Sequence, residues 1–210
     1  MNIFNSLKEK RLIEKNLFFI GTIFIMAVNI SVFFFFNKPK FSGTTNNWNK
    51  VLDFSNLSLT FTSAFYHSNL QHVLLNSLCF LVVGAYVERK QGTLGLLVLV
   101  FVFALFGESM IDANHKGTSV GFSGVNFAFY AYVIVDFIFT IKQLKREKCE
   151  LLLSIIVLCL IYVACCFCGG TSEFSFKIYP YDLIHNMAHY TGFITGIILT
   201  TLIKLSKIYK

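Results

Sequence analysis

Long apolar stretches separated by short charged runs are the feature that most restricts what this chain can fold into. Of its 210 residues, 55% are apolar and only 14% are charged, and the mean hydropathy is +0.65. A typical soluble domain carries about 25% charged residues. With 25 Phe and only 2 Pro, little interrupts the apolar stretches. This pattern is typical of a helical protein that crosses the membrane several times.

Six of these stretches are candidate membrane-spanning helices, because a bilayer needs roughly 20 apolar residues per crossing. The second and third are short for that length, which predicts a locally thinned bilayer or partial burial in the bundle. We predict an all-α bundle in one domain over residues 17–203, with residues 1–16 as a short N-terminus and residues 204–210 as a basic tail. The predicted spans are Leu17–Phe36, Leu70–Val87, Leu94–Met110, Ser123–Ile141, Leu151–Cys168 and Leu183–Ile203.

Lysine and arginine set the predicted orientation. Thirteen of the 18 Lys and Arg residues flank the spans on the side that holds both termini, and five fall on the other side. The positive-inside rule therefore predicts that both termini are cytoplasmic and that the first span is a signal anchor. The same clusters account for the net charge of +7. They lack the interleaved aromatic residues of a nucleic-acid interface, so nucleic acid is not expected as a partner.

In this topology spans two, four and six all run from outside to inside, and their outer ends carry unusual polar residues. Asn76 and His189 each lie ~9 Å below the start of their helices. A polar side chain in hydrocarbon costs several kcal/mol unless it is satisfied. Three helices with polar groups at one depth therefore predict a functional site. The residues are His67, His72, Asn76, Ser123, His185 and His189.

A serine and a histidine in this set predict nucleophilic catalysis. Ser123 lies in the string Gly121-Phe122-Ser123-Gly124. Its glycines allow close backbone approach, and the start of a helix offers free N–H groups to an oxyanion. Gly192 and Gly196 follow His189 as a small-xxx-small stripe that lets two helices meet closely. The imidazole is therefore expected to reach a neighbouring helix.

Other interpretations of these residues remain open. His72 and Asn76, four apart on one helical face, are both able to donate to a developing negative charge, and both are equally suited to hydrogen bonds between helices. A zinc ion held by His185, His189 and His72 is a further alternative, although no carboxylate or thiolate is expected at that depth. The six cysteines form neither a disulfide framework nor a zinc spacing. We expect no metal and no cofactor.

The ordered set of residues resembles the rhomboid family of intramembrane serine proteases. Glu88 with Gly92 is similar to that family's acidic–glycine element at the inner end of the second span. The resemblance covers about residues 60–203. It rests on the run His67-Ser68-Asn69-Leu70-Gln71-His72-Val73-Leu74-Leu75-Asn76, on Gly121-Phe122-Ser123-Gly124, and on Ala188-His189 with Gly192 and Gly196.

The resemblance implies a role for each site residue. Ser123 would be the nucleophile and His189 the general base. His72, Asn76 and the Ser123 backbone N–H would be the oxyanion donors, and the ring of Phe127 would pack on the imidazole. A dyad is expected rather than a triad. Asp136, the only acid in the fourth span, lies 13 residues past Ser123, or ~20 Å down the helix.

The resemblance also implies an activity. The chain would be an endopeptidase that hydrolyses peptide bonds in or near the transmembrane segments of other membrane proteins. Its partners would be those substrates and the lipid bilayer. The expected location is the plasma membrane, with the active site toward the outer face. The alternative is an inactive rhomboid-like scaffold that binds transmembrane clients without cleaving them.

Overall fold

Four helices account for most of the described residues. The computed structural model describes residues 19–36, 61–67, 69–112, 121–141, 153, 155–157, 160 and 183–208. Within these ranges there is no β-strand, and the predicted all-α class is confirmed. The helices are α1 (Ile20–Phe35), α2 (Leu70–Asp112), α3 (Ser123–Thr140) and α4 (Leu183–Ile208).

The helix bounds can be compared with the predicted spans. Two segments among the described residues are long and apolar enough to cross a membrane, Leu70–Phe106 and Ser123–Thr140. α1 is a shorter apolar helix of 16 residues. α4 begins at the predicted residue but runs on to Ile208, into the predicted basic tail. The predicted fifth span lies outside the described residues except for residues 153, 155–157 and 160.

α2 reverses direction at Gly92. This residue has φ 75° and ψ 168°, a combination that essentially only glycine adopts. Phe80 before the break and Phe103 after it both contact Phe129 of α3, with ring centroids 5.5 and 5.1 Å apart. A straight helix would hold Phe80 and Phe103 about 34 Å apart. The first arm of α2 (residues 70–91) and the second arm (residues 93–112) therefore lie side by side, and they correspond to predicted spans two and three.

Glu88 ties α1 to the turn between the two arms. Its carboxylate accepts hydrogen bonds from the backbone N–H groups of Gly21 and Thr22, each 2.9 Å long. The hydroxyls of Thr22 and Thr93 donate to it as well, each at 2.7 Å. The N–H groups at the start of α1 have no helical acceptor, and the helix dipole favours a negative charge there. Four donors thus offset the cost of burying this carboxylate.

Phenylalanines of α2 and α3 form the core behind the start of α3. Phe80, Phe103, Phe122 and Phe129 are fully buried. Phe80 meets Phe122 edge to face, with centroids 5.0 Å apart and planes at 86°. Such a pair contributes ~0.5–1.5 kcal/mol beyond the burial of its area. Because Phe122 directly precedes Ser123, this packing fixes the first turn of α3.

The first arm of α2, α3 and α4 run in the same direction. Residues early in each helix contact one another, and residues late in each helix do the same. The N-terminal ends of all three helices therefore lie together. The contacts are Asn76 with Asn126 and Tyr86 with Asp136 between α2 and α3, and Ser123 with His189 and Asp136 with Lys204 between α3 and α4.

Candidate active site

Ser123 is the first residue of α3, and its surroundings follow from that position. The first helical hydrogen bond at this end runs from the Asn126 N–H to the Phe122 carbonyl, at 3.0 Å. The N–H groups of the preceding helical residues, including Ser123 itself, have no acceptor within the helix. The positive end of the helix dipole lies at the same place. A buried hydroxyl thus stands beside backbone donors suited to bind an oxyanion.

His189 of α4 reaches Ser123 directly. Its Nε2 lies 2.9 Å from the Ser123 Oγ, and both side chains are buried. With the imidazole proton on Nδ1, Nε2 accepts a hydrogen bond from the serine hydroxyl. The ring of Phe127, one turn after Ser123, stacks on the imidazole with centroids 4.3 Å apart and planes at 6°. This contact restricts rotation of the imidazole and holds Nε2 toward the hydroxyl.

Glycines bring the two helices close enough for that contact. A Cβ atom on Gly192 would lie 2.1 Å from the Gly124 carbonyl oxygen. A Cβ atom on Gly196 would lie 2.3 Å from the Ala128 carbonyl oxygen. Both distances are far below any real contact, so α4 packs directly on the backbone of α3. The glycines that the sequence pattern selected therefore permit the short separation between serine and histidine.

His72 and Asn76 approach the backbone just before Ser123. Gly121 has φ 130°, and a Cβ atom there would lie 2.8 Å from His72 Nε2 and 3.6 Å from Asn76 Nδ2. Any other residue at position 121 would be strained by its φ and would also collide with the imidazole. The side-chain oxygen of Asn69 accepts a hydrogen bond from the His72 N–H at 2.8 Å and so caps α2. This cap satisfies one of the free N–H groups in the first turn of α2, the turn that holds His72.

Asn126 fixes the carboxamide of Asn76. Its Nδ2 donates to the Asn76 backbone carbonyl at 3.1 Å and to the Asn76 Oδ1 at 3.3 Å. With its oxygen held by α3, the amide group of Asn76 presents its NH₂ toward Gly121. Both asparagines are buried. Asn126 thus orients the group that the sequence predicted as an oxyanion donor.

His67 links the segment before α2 to the start of α3. Its Nδ1 lies 3.1 Å from the Phe65 carbonyl, and its Nε2 accepts a hydrogen bond of 3.4 Å from the Phe122 N–H. The neutral ring satisfies both contacts, with its proton on Nδ1. Burial lowers the pKa of His67 to about 3, and His72, whose ring centroid is 5.0 Å away, adds to this effect. His67 is therefore a neutral side chain that connects the segment before α2 to Phe122, the residue next to the serine.

His185 is the remaining polar residue predicted at the site, and Asp136 is the acid that the sequence placed too far from Ser123 to complete a triad. The side chain of His185 lies outside the described residues. Asp136 lies at the far end of α3, in contact with Lys204 and Tyr86 rather than with His189. Among the side chains that the structure describes, no three His, Cys, Asp or Glu residues are grouped so as to hold a metal ion.

Sequence reasoning missed Asn126 as a site residue. The available signal was a carboxamide inside an apolar span, one turn from the predicted nucleophile. It was hard to use, because nothing in the sequence indicates which neighbouring helix that carboxamide faces. The hydrogen bond from the Phe122 N–H to His67 was missed for the same reason.

The fold and the site together define a class of protein, a helical bundle with apolar spans in which a serine and a histidine from two helices are in contact. A profile of the rhomboid domain matches residues 55–206. The chain belongs to the rhomboid family. This family consists of integral membrane proteins that are generally intramembrane proteases, and it includes inactive members.

Individual relatives match over parts of their length. The chain is 38% identical over 73 residues to the rhomboid protease GlpG of Yersinia pestis (strain Pestoides F), which covers 33% of this chain and 25% of that protein. The GlpG of Yersinia pseudotuberculosis serotype O:3 matches equally. RHOMBOID-like protein 1 of Arabidopsis thaliana is 28% identical over 141 residues, 66% of this chain and 32% of that protein. The chain thus spans between a quarter and a third of the length of these curated relatives.

Proposed function

We propose that this protein is an intramembrane serine endopeptidase that works through a dyad of Ser123 and His189. The observation that carries the proposal is the 2.9 Å separation between Ser123 Oγ and His189 Nε2, between two buried side chains on neighbouring helices. A serine hydroxyl is a weak nucleophile until an adjacent base takes its proton. Burial of such a pair in an apolar bundle is costly, and catalysis supplies a reason for it.

In the first step Ser123 Oγ attacks the carbonyl carbon of the scissile peptide bond, while His189 Nε2 takes the hydroxyl proton. The resulting imidazolium then gives that proton to the leaving amine, and an acyl-enzyme forms. Water, activated by the same imidazole, hydrolyses the ester and regenerates the serine. Phe127 keeps the imidazole in one orientation through both steps.

The developing oxyanion is stabilised at the start of α3. The Ser123 N–H belongs to the helix terminus, and the Asn76 NH₂ and the His72 imidazole lie beside Gly121, two residues away. Donors fixed before the reaction need no reorganisation when negative charge develops. Asn126 contributes indirectly, because it fixes the orientation of the Asn76 amide.

We also propose the topology and the location that the charges favour. The domain over residues 17–203 would cross the membrane six times, with residues 1–16 and 204–210 in the cytoplasm. The active site would then face the outer side of the plasma membrane. Substrates would be transmembrane segments of other proteins, cut near that surface where small or helix-breaking residues expose a carbonyl. Reporter fusions to either terminus test the orientation.

Covalent labelling tests the dyad. A fluorophosphonate should label the wild type in detergent or in vesicles, and Ser123→Ala should show no labelling. His189→Ala should be nearly as inactive, because a nucleophile and its base act as one unit. Labelling that persists in Ser123→Ala would refute the nucleophile assignment. A scaffold would give no labelling in any variant and would still capture membrane clients by crosslinking.

A further inference from the structure

An ion-paired cluster lies at the end of α3 and α4 that is remote from the dyad. Asp136 of α3 accepts hydrogen bonds from the ammonium group of Lys204 on α4 and from the hydroxyl of Tyr86 on α2. The Lys90 Nζ lies 3.2 Å from the Oδ2 atom of Asp136. The Asp136 side chain is fully buried, whereas that of Lys90 is 38% exposed. A buried ionisable group within an apolar helix calls for a functional explanation, and the dyad does not use this one.

The ion pair of Asp136 and Lys204 is the last of a row of contacts between α3 and α4, and this row begins beside the dyad. Gly124 meets Gly192, and Ala128 meets Gly196. Both pairs are separated by the same 68 residues as Asp136 and Lys204. α3 and α4 therefore keep one register along their whole contact, with the serine and histidine at one end and the ion pair at the other. Tyr132 and Thr200, both fully buried, occupy the intermediate position of this row.

Two positions of this row, Gly124 with Gly192 and Ala128 with Gly196, do little to prevent axial sliding. The backbones of α3 and α4 meet directly there, without large side chains that interdigitate. An ion pair with a further hydrogen bond depends steeply on distance and direction, especially where the dielectric constant is low. An α-helix is also stiff along its axis, so a displacement of α4 at Lys204 is transmitted to His189, about 22 Å away.

We propose that the ion pair of Asp136 and Lys204 is a positioning device for the dyad. It holds α4 in axial register against α3, so that His189 Nε2 stays within hydrogen-bond reach of Ser123 Oγ. The proposal rests on the proposed function, since it assigns this pair a role in that reaction. Asp136 and Lys204 are positioning residues, because neither contacts the reacting atoms.

Lys204→Met is the informative variant. It removes the tie to α4 but leaves Asp136 paired with Lys90 and hydrogen-bonded to Tyr86, so the carboxylate keeps a counter-ion. Asp136→Asn would instead leave two ammonium groups without a partner charge, and loss of folding would obscure the result. Lys204→Arg restores a cation with the reach to meet the carboxylate.

Glu88→Gln is the matched control. Glu88 is also a buried carboxylate late in the first arm of α2, but it ties α1 to α2 rather than α3 to α4. Breaking that tie should lower the melting temperature without moving His189 relative to Ser123. A loss of activity that merely follows loss of stability would appear in both variants.

Hydrolysis of a model transmembrane substrate is measured for the three variants at a temperature where each is folded. Lys204→Met should lower kcat by ~10-fold to 10²-fold, because a misplacement of about 1 Å in a reacting group has this effect. KM should stay unchanged, since no substrate contact is removed. Lys204→Arg should recover most of kcat, and Glu88→Gln should keep it. Full kcat in Lys204→Met, no recovery in Lys204→Arg, or an equal loss in Glu88→Gln would each overturn the proposal.

A second measurement does not depend on activity. Spin labels introduced as unnatural amino acids at Ile138 and Ile194, which are exposed on α3 and α4, report the axial offset of the two helices. The distance distribution should shift or broaden in Lys204→Met and return in Lys204→Arg. An unchanged distribution in Lys204→Met would refute the positioning role. If the wild type proves inactive, the proposed function fails, and the label distances still decide the register.

Discussion

Substitution of Gly192 by alanine should separate Ser123 from His189. The added Cβ atom would lie 2.1 Å from the Gly124 carbonyl oxygen. The closest favourable contact between carbon and oxygen is about 3.3 Å, so α4 must withdraw from α3 by about 1.2 Å at this point. His189 lies one turn away on the same helix. The present separation of 2.9 Å would then become about 4 Å, beyond hydrogen-bond reach.

The expected result is a loss of ~10²-fold in kcat, because a reacting group displaced by about 1 Å loses its attack geometry. The measurement is turnover of a model transmembrane substrate per folded molecule, with the folded fraction taken from a thermal melt. The rate of fluorophosphonate labelling should fall in parallel.

Gly84→Ala is the control for this experiment. A Cβ atom on Gly84 would meet side-chain atoms of Phe80 and Thr22 at 3.0 and 3.1 Å, which requires shifts of only a few tenths of an ångström. Gly84 belongs to the first arm of α2 and faces α1, so its substitution does not separate α3 from α4, and kcat should fall far less than in Gly192→Ala. A folded Gly192→Ala protein with the turnover of the wild type would show that the close approach of α3 and α4 is not what brings the dyad together.

The other predictions concern the oxyanion donors and His67. Asn76→Ala should lower kcat by ~10²-fold, the usual effect of losing one oxyanion donor. Asn126→Leu removes both hydrogen bonds to Asn76 but leaves its amide in place, so it should lower kcat by only ~10-fold. The double variant should be no worse than Asn76→Ala alone, and additive losses in kinetic assays would contradict a shared role. Burial lowers the pKa of His67 from an ordinary 6.5 to about 3. As the pH falls, the unfolded chain therefore takes up this proton before the folded protein does, and stability is lost below pH 6.5. The loss in the free energy of unfolding at pH 5 should be about 2 kcal/mol. In thermal melts from pH 8 to 5, the melting temperature should depend less on pH in His67→Gln than in the wild type. Equal slopes in the two proteins would refute a stabilising role of neutral His67.

The sequence by itself indicated that this protein lies in a lipid bilayer and that its fold is all-helical. Helical apolar stretches leave few alternatives, because the bilayer core offers no water to satisfy an unpaired backbone group. The glycines and polar residues at the starts of three spans also selected Ser123, His189, His72 and Asn76 as a group. These predictions depend on local composition and on helical spacing, which are properties of the chain itself.

The tertiary structure decided which of these groups touch. Three contacts of the site join residues on different helices. They are the hydrogen bond of His189 with Ser123, the stacking of Phe127 on His189, and the hydrogen bond by which Asn126 orients Asn76. Helical spacing gives the face on which a residue lies, but the rotation and offset of one helix against another come from packing over the whole contact. For the same reason Asp136 appeared in the sequence only as an acid too distant to orient the histidine. Its pairing with Lys204 becomes visible only once α3 and α4 are seen in register.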